Sequence, residues 1–353
     1  MRAELLNRIE LPGPAGQCHS VPGGGWLLVM RGSPPRTTLL DAGLHLVGGA
    51  GRAIPAGSGC AWYGDALAVA GPDTLVLHRG GARLWWSEQG SWDETPKGEG
   101  SCAFAAGGTE LWAVVRTGRT DEEAFEGEGE GEGDGDGDGD GDNAGPDTEG
   151  ADPDASEVEC QVRDASTGAL LARRTLGSEV THSRILAHPD GRHMAVITDD
   201  GHSVDGHWML RAGNRLHART LAPDPDREPC ALALSPSGGQ YTLLDPTGLV
   251  TLAFPTGEPI AEREDPGRGG TSAFDRSLGY CAEHLLLDTY IGDDAPPHTA
   301  VYRTPVLRGP LEQVGEIRYD AAAPPRAVAV AVAGNGTWIT ADDTGVSLWA
   351  LRD

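Results

Sequence analysis

Two short segments place imidazole and carboxylate side chains close together, as a divalent metal site would require. They read DDGHSVDGH and DDAPPH. Mixed carboxylate and imidazole ligands suit several divalent transition metals. The alternative is that Asp-Gly and Asp-Asp-Gly form turns with solvated histidines beside them. We favour the turn interpretation and keep eight candidate ligands: Asp199, Asp200, His202, Asp205, His207, Asp293, Asp294 and His298.

A long acidic segment is the second feature that could bind a ligand or a partner. Residues 121–157 contain 17 acidic side chains and no basic ones, and much of the segment alternates Gly with Glu or Asp. Such a composition cannot bury apolar area and repels itself, so we predict that residues 120–157 are disordered and extended. The spacing does not match an EF-hand calcium loop.

This segment is either a solubilising spacer or an interaction arm that recruits a protein partner with a basic surface. The arm would act through its alternating carboxylates, because their attraction for cations reaches beyond direct contact. Its candidate residues are Glu126, Glu128, Glu130, Glu132, Asp134, Asp136, Asp138, Asp140 and Asp142.

Charge and hydropathy limit the classes of function that this chain can have. The net charge is −26, and without the 17 carboxylates of residues 121–157 it is −9. Neither part carries the basic stripe of a nucleic-acid binder. No signal-peptide core and no 18-residue apolar run is present, so we expect a cytoplasmic protein that does not enter a membrane. One lysine, Lys97, against 26 arginines is typical of a high-GC bacterial genome.

The elements that must position these side chains repeat along the chain. Each copy has a small residue, then four short apolar strands separated by Pro, Asp and Gly turns. The clearest copies begin at Cys18, Cys60, Cys102, Ser183, Cys230, Ser272 and Ala327, with a period near 42 residues. This pattern predicts an all-β fold, a seven-bladed β-propeller of four-stranded blades over residues 1–353. The acidic segment is then an insertion between strands two and three of blade three.

The last copy lacks one strand. Residues 326–353 supply three strands and would leave an open sheet edge, which natural sheets avoid. We predict that Leu5–Leu11 closes the last blade by pairing with Val346–Leu351 as its outer strand.

The cysteines that begin four inner strands are expected to pack as small apolar residues rather than to form disulfides or bind metal.

Three copies carry a family resemblance. The stretches HPDGRHMAVITDDG, SPSGGQYTLLDPTG and GNGTWITADDTGVSLWALRD resemble blades of WD-repeat propellers. In that family a His–Ser/Thr–Asp–Trp hydrogen-bond network ties each blade together. The last copy offers Thr340, Asp342 and Trp349 for this network but no His. The resemblance also implies that loops between second and third strands lie on the usual partner-binding face, where the acidic insertion would hang.

Two functions remain open. The first is a non-enzymatic scaffold for protein–protein interaction, and the sequence does not separate it from a sensor propeller in a multi-gene bacterial system. The alternative is a hydrolase- or lactonase-like enzyme with a divalent metal at the channel mouth, which needs Asp, Glu, Asn or His side chains pointing inward. The inner strands are rich in Cys, Ala, Leu and Val, and no nucleotide, dinucleotide or hydrolase motif is present. We therefore favour the scaffold and expect no cofactor.

The neighbouring residues Trp85 and Trp86 raise a smaller question. They face opposite sides of one strand, since side chains alternate along a strand. We expect both to pack in the core or at the rim, with an aromatic ligand platform as the alternative.

Overall fold

The computed structural model describes most of the chain. The described residues are 1–22, 24–47, 51–90, 100–105, 107–117, 157–177, 180–222, 224, 227–264, 276–290, 298–319 and 329–352. Their regular structure consists of β-strands. Nothing among them forms a helix long and apolar enough to cross a membrane.

In chain order the strands are β1 (Arg2–Glu10), β2 (Ala15–Ser20), β3 (Trp26–Met30), β4 (Arg36–Leu40), β5 (Arg52–Ala53), β6 (Gly59–Tyr63), β7 (Ala66–Ala70), β8 (Thr74–Arg79), β9 (Ala82–Glu88), β10 (Ser101–Phe104), β11 (Glu110–Arg116), β12 (Val158–Asp164), β13 (Leu170–Gly177), β14 (His182–Ala187), β15 (His193–Asp199), β16 (Val204–Ala212), β17 (Arg215–Thr220), β18 (Ala231–Leu234), β19 (Gln240–Asp245), β20 (Gly248–Ala253), β21 (Pro259–Glu264), β22 (Arg276–Ala282), β23 (Leu285–Tyr290), β24 (Thr299–Arg303), β25 (Glu312–Tyr319), β26 (Ala329–Val332), β27 (Thr337–Ala341) and β28 (Gly345–Arg352).

These strands form seven antiparallel blades of four strands each. Blade one is β2–β5, and each following group of four makes the next blade up to β22–β25. Blade seven consists of β26–β28 with β1 as its outer strand. The prediction of a seven-bladed β-propeller is therefore confirmed. Two pairs of neighbouring outer strands also touch through parallel bridges, β13 with β17 and β25 with β1.

The second strand of each blade forms because it is apolar on both faces. Such strands read as continuous hydrophobic runs, since neighbouring blades cover both sides. In β3, WLLVM, and in β7, ALAVA, every residue is buried. The largest side chains that seal the blade interfaces include Trp26, Trp112 and Trp338. This packing makes each blade a rigid support for the loops at its ends.

The N-terminal strand closes the ring as predicted. β1 pairs antiparallel with β28, with Ile9 opposite Val346 and Ala3 opposite Leu351. The strand begins at Arg2 and ends at Glu10, so it is shifted towards the N-terminus relative to the expected bounds. A bulge after Leu5 shifts the register, and Leu5 stays exposed.

The cysteines at the start of the inner strands behave as small packing residues. All six cysteines are free, and those of the repeated position are buried except Cys18, which is half-buried. Burial raises the pKa of the Cys102 thiol to about 12. Such thiols stay protonated and unreactive near neutral pH.

Candidate functional site

The functional candidates concentrate on one face of the ring. One side of the ring carries the connections between second and third strands and the connections from one blade to the next. We call this side the upper face. The segment with Asp199 and Asp200 connects the second and third strands of blade four, β15 and β16, on this face. We call such a connection an upper corner of its blade.

At this corner the carboxylates are used by the turn itself. Asp199 Oδ1 accepts a hydrogen bond from the Gly201 N–H at 2.7 Å. Asp200 Oδ1 accepts the N–H groups of His202 and Ser203 at 2.7 and 2.6 Å, and its Oδ2 accepts the Ser203 hydroxyl. These bonds, led by that from the Ser203 backbone, lower the pKa of Asp200. Both side chains therefore act as turn-forming acceptors.

The other candidate ligands are not brought together with them. Asp205 and His207 lie on β16, opposite Thr198 and Val196 of β15. Burial lowers the pKa of His207 and outweighs the opposite effect of the Asp205 charge. Over the described residues, no group of three or more His, Cys, Asp or Glu side chains is arranged to hold a metal ion.

The second predicted segment is only partly described. His298 stacks on Tyr290 with ring centroids 5.8 Å apart. Asp293 and Asp294 lie outside the described residues, so the combined metal site of the two segments stays a prediction.

Ion pairs instead mark the upper corners of blades five and seven. In blade five, Arg227 Nη1 donates to Asp245 Oδ2 at 2.8 Å, while Asp245 Oδ1 accepts two bonds from Thr247 and one from the Gly248 N–H. Arg227 also bonds Glu262. The aspartate thereby ties its own turn to the connection that enters the blade.

Blade seven repeats this arrangement with partners from the two chain ends. Arg8 Nη2 donates to Asp342 Oδ2 at 3.0 Å, and Arg8 Nη1 donates to the Ser347 hydroxyl at 2.7 Å. Burial alone would raise the pKa of Asp342, but hydrogen bonds from Thr344 and Arg8 outweigh it and lower that pKa. In the same blade, Trp349 Nε1 donates to Thr340 Oγ1 at 2.9 Å. Arg8 therefore ties β1 to the Asp342 corner, while Trp349 and Thr340 form a separate bond.

Blade six carries a third pair of the same kind. Arg276, at the start of the inner strand β22, donates through Nε to Asp288 Oδ1 at 3.0 Å, and its Nη2 bonds the other carboxylate oxygen. No sequence pattern points to Arg8, Arg227 or Arg276. The repeated turns DPTG and DDTG do mark Asp245 and Asp342 as acceptors, but the donors come from distant positions.

Two contacts link blade four to its neighbouring blades through the inner strand β14. Ser101 and Ser183 hydroxyls lie 2.8 Å apart across blades three and four. Arg184 Nη1 donates to the Cys230 carbonyl at 3.3 Å and so links blade four to blade five. These contacts join blades.

The ends of the acidic insertion meet on the upper face of blade three. β11 ends at Arg116 and β12 begins at Val158, and these two residues are paired. The Thr117 N–H donates to the Glu157 carbonyl at 2.8 Å, and the Thr117 hydroxyl donates to the same oxygen at 3.0 Å. The predicted arm, including Glu126–Asp142, lies outside the described residues.

Trp85 and Trp86 have different surroundings. Trp85 packs with the apolar side chains between blades two and three, and its Nε1 donates to the Ala165 carbonyl at 3.1 Å. Trp86 is 47% exposed, with the Arg83 guanidinium 5.7 Å from its ring centre. The packing prediction is therefore correct for Trp85, whereas Trp86 lies on the surface.

Comparison with known proteins supports the fold. No family model matches this chain, and no curated protein matches its sequence. BamB from Moraxella catarrhalis is similar in structure, with 12% identity, a TM-score of 0.51, and coverage of 96% of this chain and 85% of that one. The WD40 β-propeller domain of Doa1 is similar at 13% identity and a TM-score of 0.51, covering 99% and 98%. Both are β-propellers, and at this identity the similarity establishes the fold alone.

Proposed function

We propose that this protein is a non-enzymatic interaction scaffold, in which the propeller presents the acidic segment to a partner with a basic surface. The observation that carries the proposal is the hydrogen-bonded closure between Thr117 and Glu157. The acidic segment leaves the blade after β11 and returns to it at β12, and these two strands are paired. Both of its ends are therefore fixed at one point of a rigid blade. The proposal is that a partner reaches the carboxylates of the segment from this point.

The physical basis is long-range electrostatics. A dense run of one charge attracts a cationic partner and accelerates encounter, and the effect weakens as salt screens it. The β-propeller fold is compatible with many functions, so the fold does not identify the partner. The expected absence of nucleic acid, membrane and cofactor, the cytoplasmic location and the bacterial origin all stay predictions.

The enzyme alternative is not proposed. Asp245 and Asp342 hold arginines and their own turns, and Asp200 holds the corner of blade four. Carboxylates engaged in this way stabilise the blades, which is a structural role.

Affinity capture with matched variants tests the proposal. One variant, called the neutral variant, replaces the nine acidic residues of 126–142 by Gln and Asn, which keeps the length and removes nine of the 17 negative charges of residues 121–157. We expect the natural chain to retain proteins with basic surfaces at about 50 mM salt and to lose most of them at about 500 mM, because screening shortens the reach of the charges. The neutral variant should retain few of them at either salt concentration.

The control is thermal melting of both proteins, and equal melting temperatures would show that the substitutions leave the blades folded. If both proteins capture the same partners in equal amounts, the acidic segment has no recruiting role and the proposal is wrong.

A further inference from the structure

The outer strand of blade two is an open and unusually apolar sheet edge. β9 pairs with β8 on one side, and no strand of the described chain pairs with its other side. Leu84 is 44% exposed and Trp86 is 47% exposed. An edge strand offers unpaired N–H and C=O groups to a further strand, and natural proteins usually protect such edges. β9 carries Arg83, Glu88 and a bulge, but its seven residues are long for an edge strand and include an exposed leucine and an exposed tryptophan.

The other outer strands are shorter, bridged or charged. β5 of blade one has two residues, and β13 meets β17 through the parallel bridge between Arg173 and Arg215. β25 meets β1 in the same manner. β21 begins with Pro259, which has no N–H, and carries charges at Glu262, Arg263 and Glu264. These features discourage strand addition, so β9 is the edge best suited to it.

The exposed side of β9 has a charge pattern that complements itself. In the pairing with β8, Arg83 lies opposite His78, Trp86 opposite Val76 and Glu88 opposite Thr74. Paired residues point to the same side of a sheet. A bulge accommodates Leu84, so the three side chains occupy successive positions on one side: a cation, an aromatic ring and an anion.

That side faces the gap left by the short outer strand of blade one. Arg52 of β5 reaches His78 with 3.1 Å between Nη1 and Nδ1, and it also bonds the Gly81 carbonyl. Beyond these contacts β5 offers two residues against the seven of β9. Trp86 is exposed for this reason.

We propose that β9 pairs antiparallel with β9 of a second copy of this chain, around a two-fold axis through Trp86. Because the two strands run in opposite directions, the order cation, ring, anion on one strand lies against the order anion, ring, cation on the other. Each Arg83 therefore faces a Glu88, and the two Trp86 rings meet. Such an isologous contact joins two blades into one eight-stranded sheet. This inference is independent of the proposed function, since it involves neither the upper face nor the acidic segment.

Charge-swap variants test this contact. Sedimentation equilibrium in about 150 mM salt, where screening limits repulsion between the acidic copies, should give twice the 36.8 kDa chain mass for the natural protein. Arg83→Glu and Glu88→Arg should each weaken self-association by about tenfold or more, because each puts like charges opposite one another.

The decisive sample is an equimolar mixture of these two variants. One copy then carries two anions and the other two cations, so the mixture should form a heterodimer although each variant alone does not. The double variant Arg83→Glu/Glu88→Arg should again form a homodimer. Arg308→Glu, an exposed charge reversal on blade six, is the matched control and should associate as the natural chain does.

Melting of each variant checks that it is folded. A natural chain that stays monomeric up to high concentration overturns the proposal. So does self-association that neither single variant weakens, and so does a mixture that stays monomeric.

Discussion

Blade two presents one strand to two different neighbours, and the two sides of β9 differ sharply. On the side of blade three, Trp85 lies against the turn after β12, where it contacts Gly168 and bonds Ala165. On the side of blade one, Trp86 is 47% exposed. The outer strand of blade three has eight residues, whereas that of blade one has two.

Burial of an outer-strand side chain therefore depends on the neighbouring blade. Trp85 and Trp86 have the same chemistry and adjacent positions, yet only one is covered. The covering group is a turn of blade three whose Gly168 has a φ of +77°, a conformation that favours glycine. The following experiments measure how strong the contrast between the two sides is.

The largest effect should come from truncating the two tryptophans separately. Trp85→Ala removes packing between two blades and one hydrogen bond, so we expect the free energy of unfolding to fall by about 3 kcal/mol. Trp86→Ala should change it by less than about 1 kcal/mol, since an exposed side chain has little packing to lose. Chemical denaturation of both variants, each held as a monomer, checks the difference. Equal losses would remove the distinction between the sides.

A smaller effect should follow from adding a methyl group to the covering turn. A Cβ at Gly168 would lie 2.8 Å from the Trp85 ring. Gly168→Ala should therefore cost about 2 kcal/mol, from backbone strain and from the clash. The control is Gly213→Ala in the equivalent turn of blade four, where φ is +64° and the added atom meets nothing within 4 Å.

The control variant should show the strain alone, about 1 kcal/mol. Combining Gly168→Ala with Trp85→Ala should remove the clash, so the two changes should be less than additive. Strict additivity would show that the turn and the ring do not interact.

The smallest effect should appear as a pH dependence of the same turn. Asp164 accepts bonds from the hydroxyl and N–H groups of Ser166 and Thr167, and these lower its pKa from 3.8 to about 2. A lowered folded-state pKa adds stability that is complete above the ordinary pKa and is lost as the pH falls towards 2. The melting temperature of the natural chain should therefore exceed that of Asp164→Asn at pH 6, and the gap should shrink as the pH falls from about 4 through 2. A gap independent of pH would exclude the carboxylate as its cause.

Much of the architecture follows from the sequence because it repeats. The small residue before each inner strand and the Asp-Gly turns predict seven blades, and the missing last strand predicts the closing role of the N-terminal segment. The bounds of that strand are less accurate, because its buried residue is the small Ala3 and a bulge breaks the alternation after Leu5. Neither feature leaves a hydrophobic pattern.

The site is less predictable because its partners are distant in the chain. Asp342 could be singled out from its turn, but nothing local indicates that Arg8 binds it. The exposure of Trp86 depends in the same way on β5, a strand in another blade. Contacts between blades depend on the lengths of the strands and turns of the neighbouring blade. The residue pattern of a single strand carries no information about those lengths.

The ring closure also has a consequence for biosynthesis. Arg8 and Ser347, which bond across β1 and β28, are 339 positions apart. At a synthesis rate of about 5 to 20 residues per second, β1 waits roughly 20 to 70 seconds for its partner. During that time an edge strand with Leu5 and Ile9 is unpaired in a crowded cell. Folding of this propeller is therefore exposed to competition from other unpaired strands until translation has nearly finished.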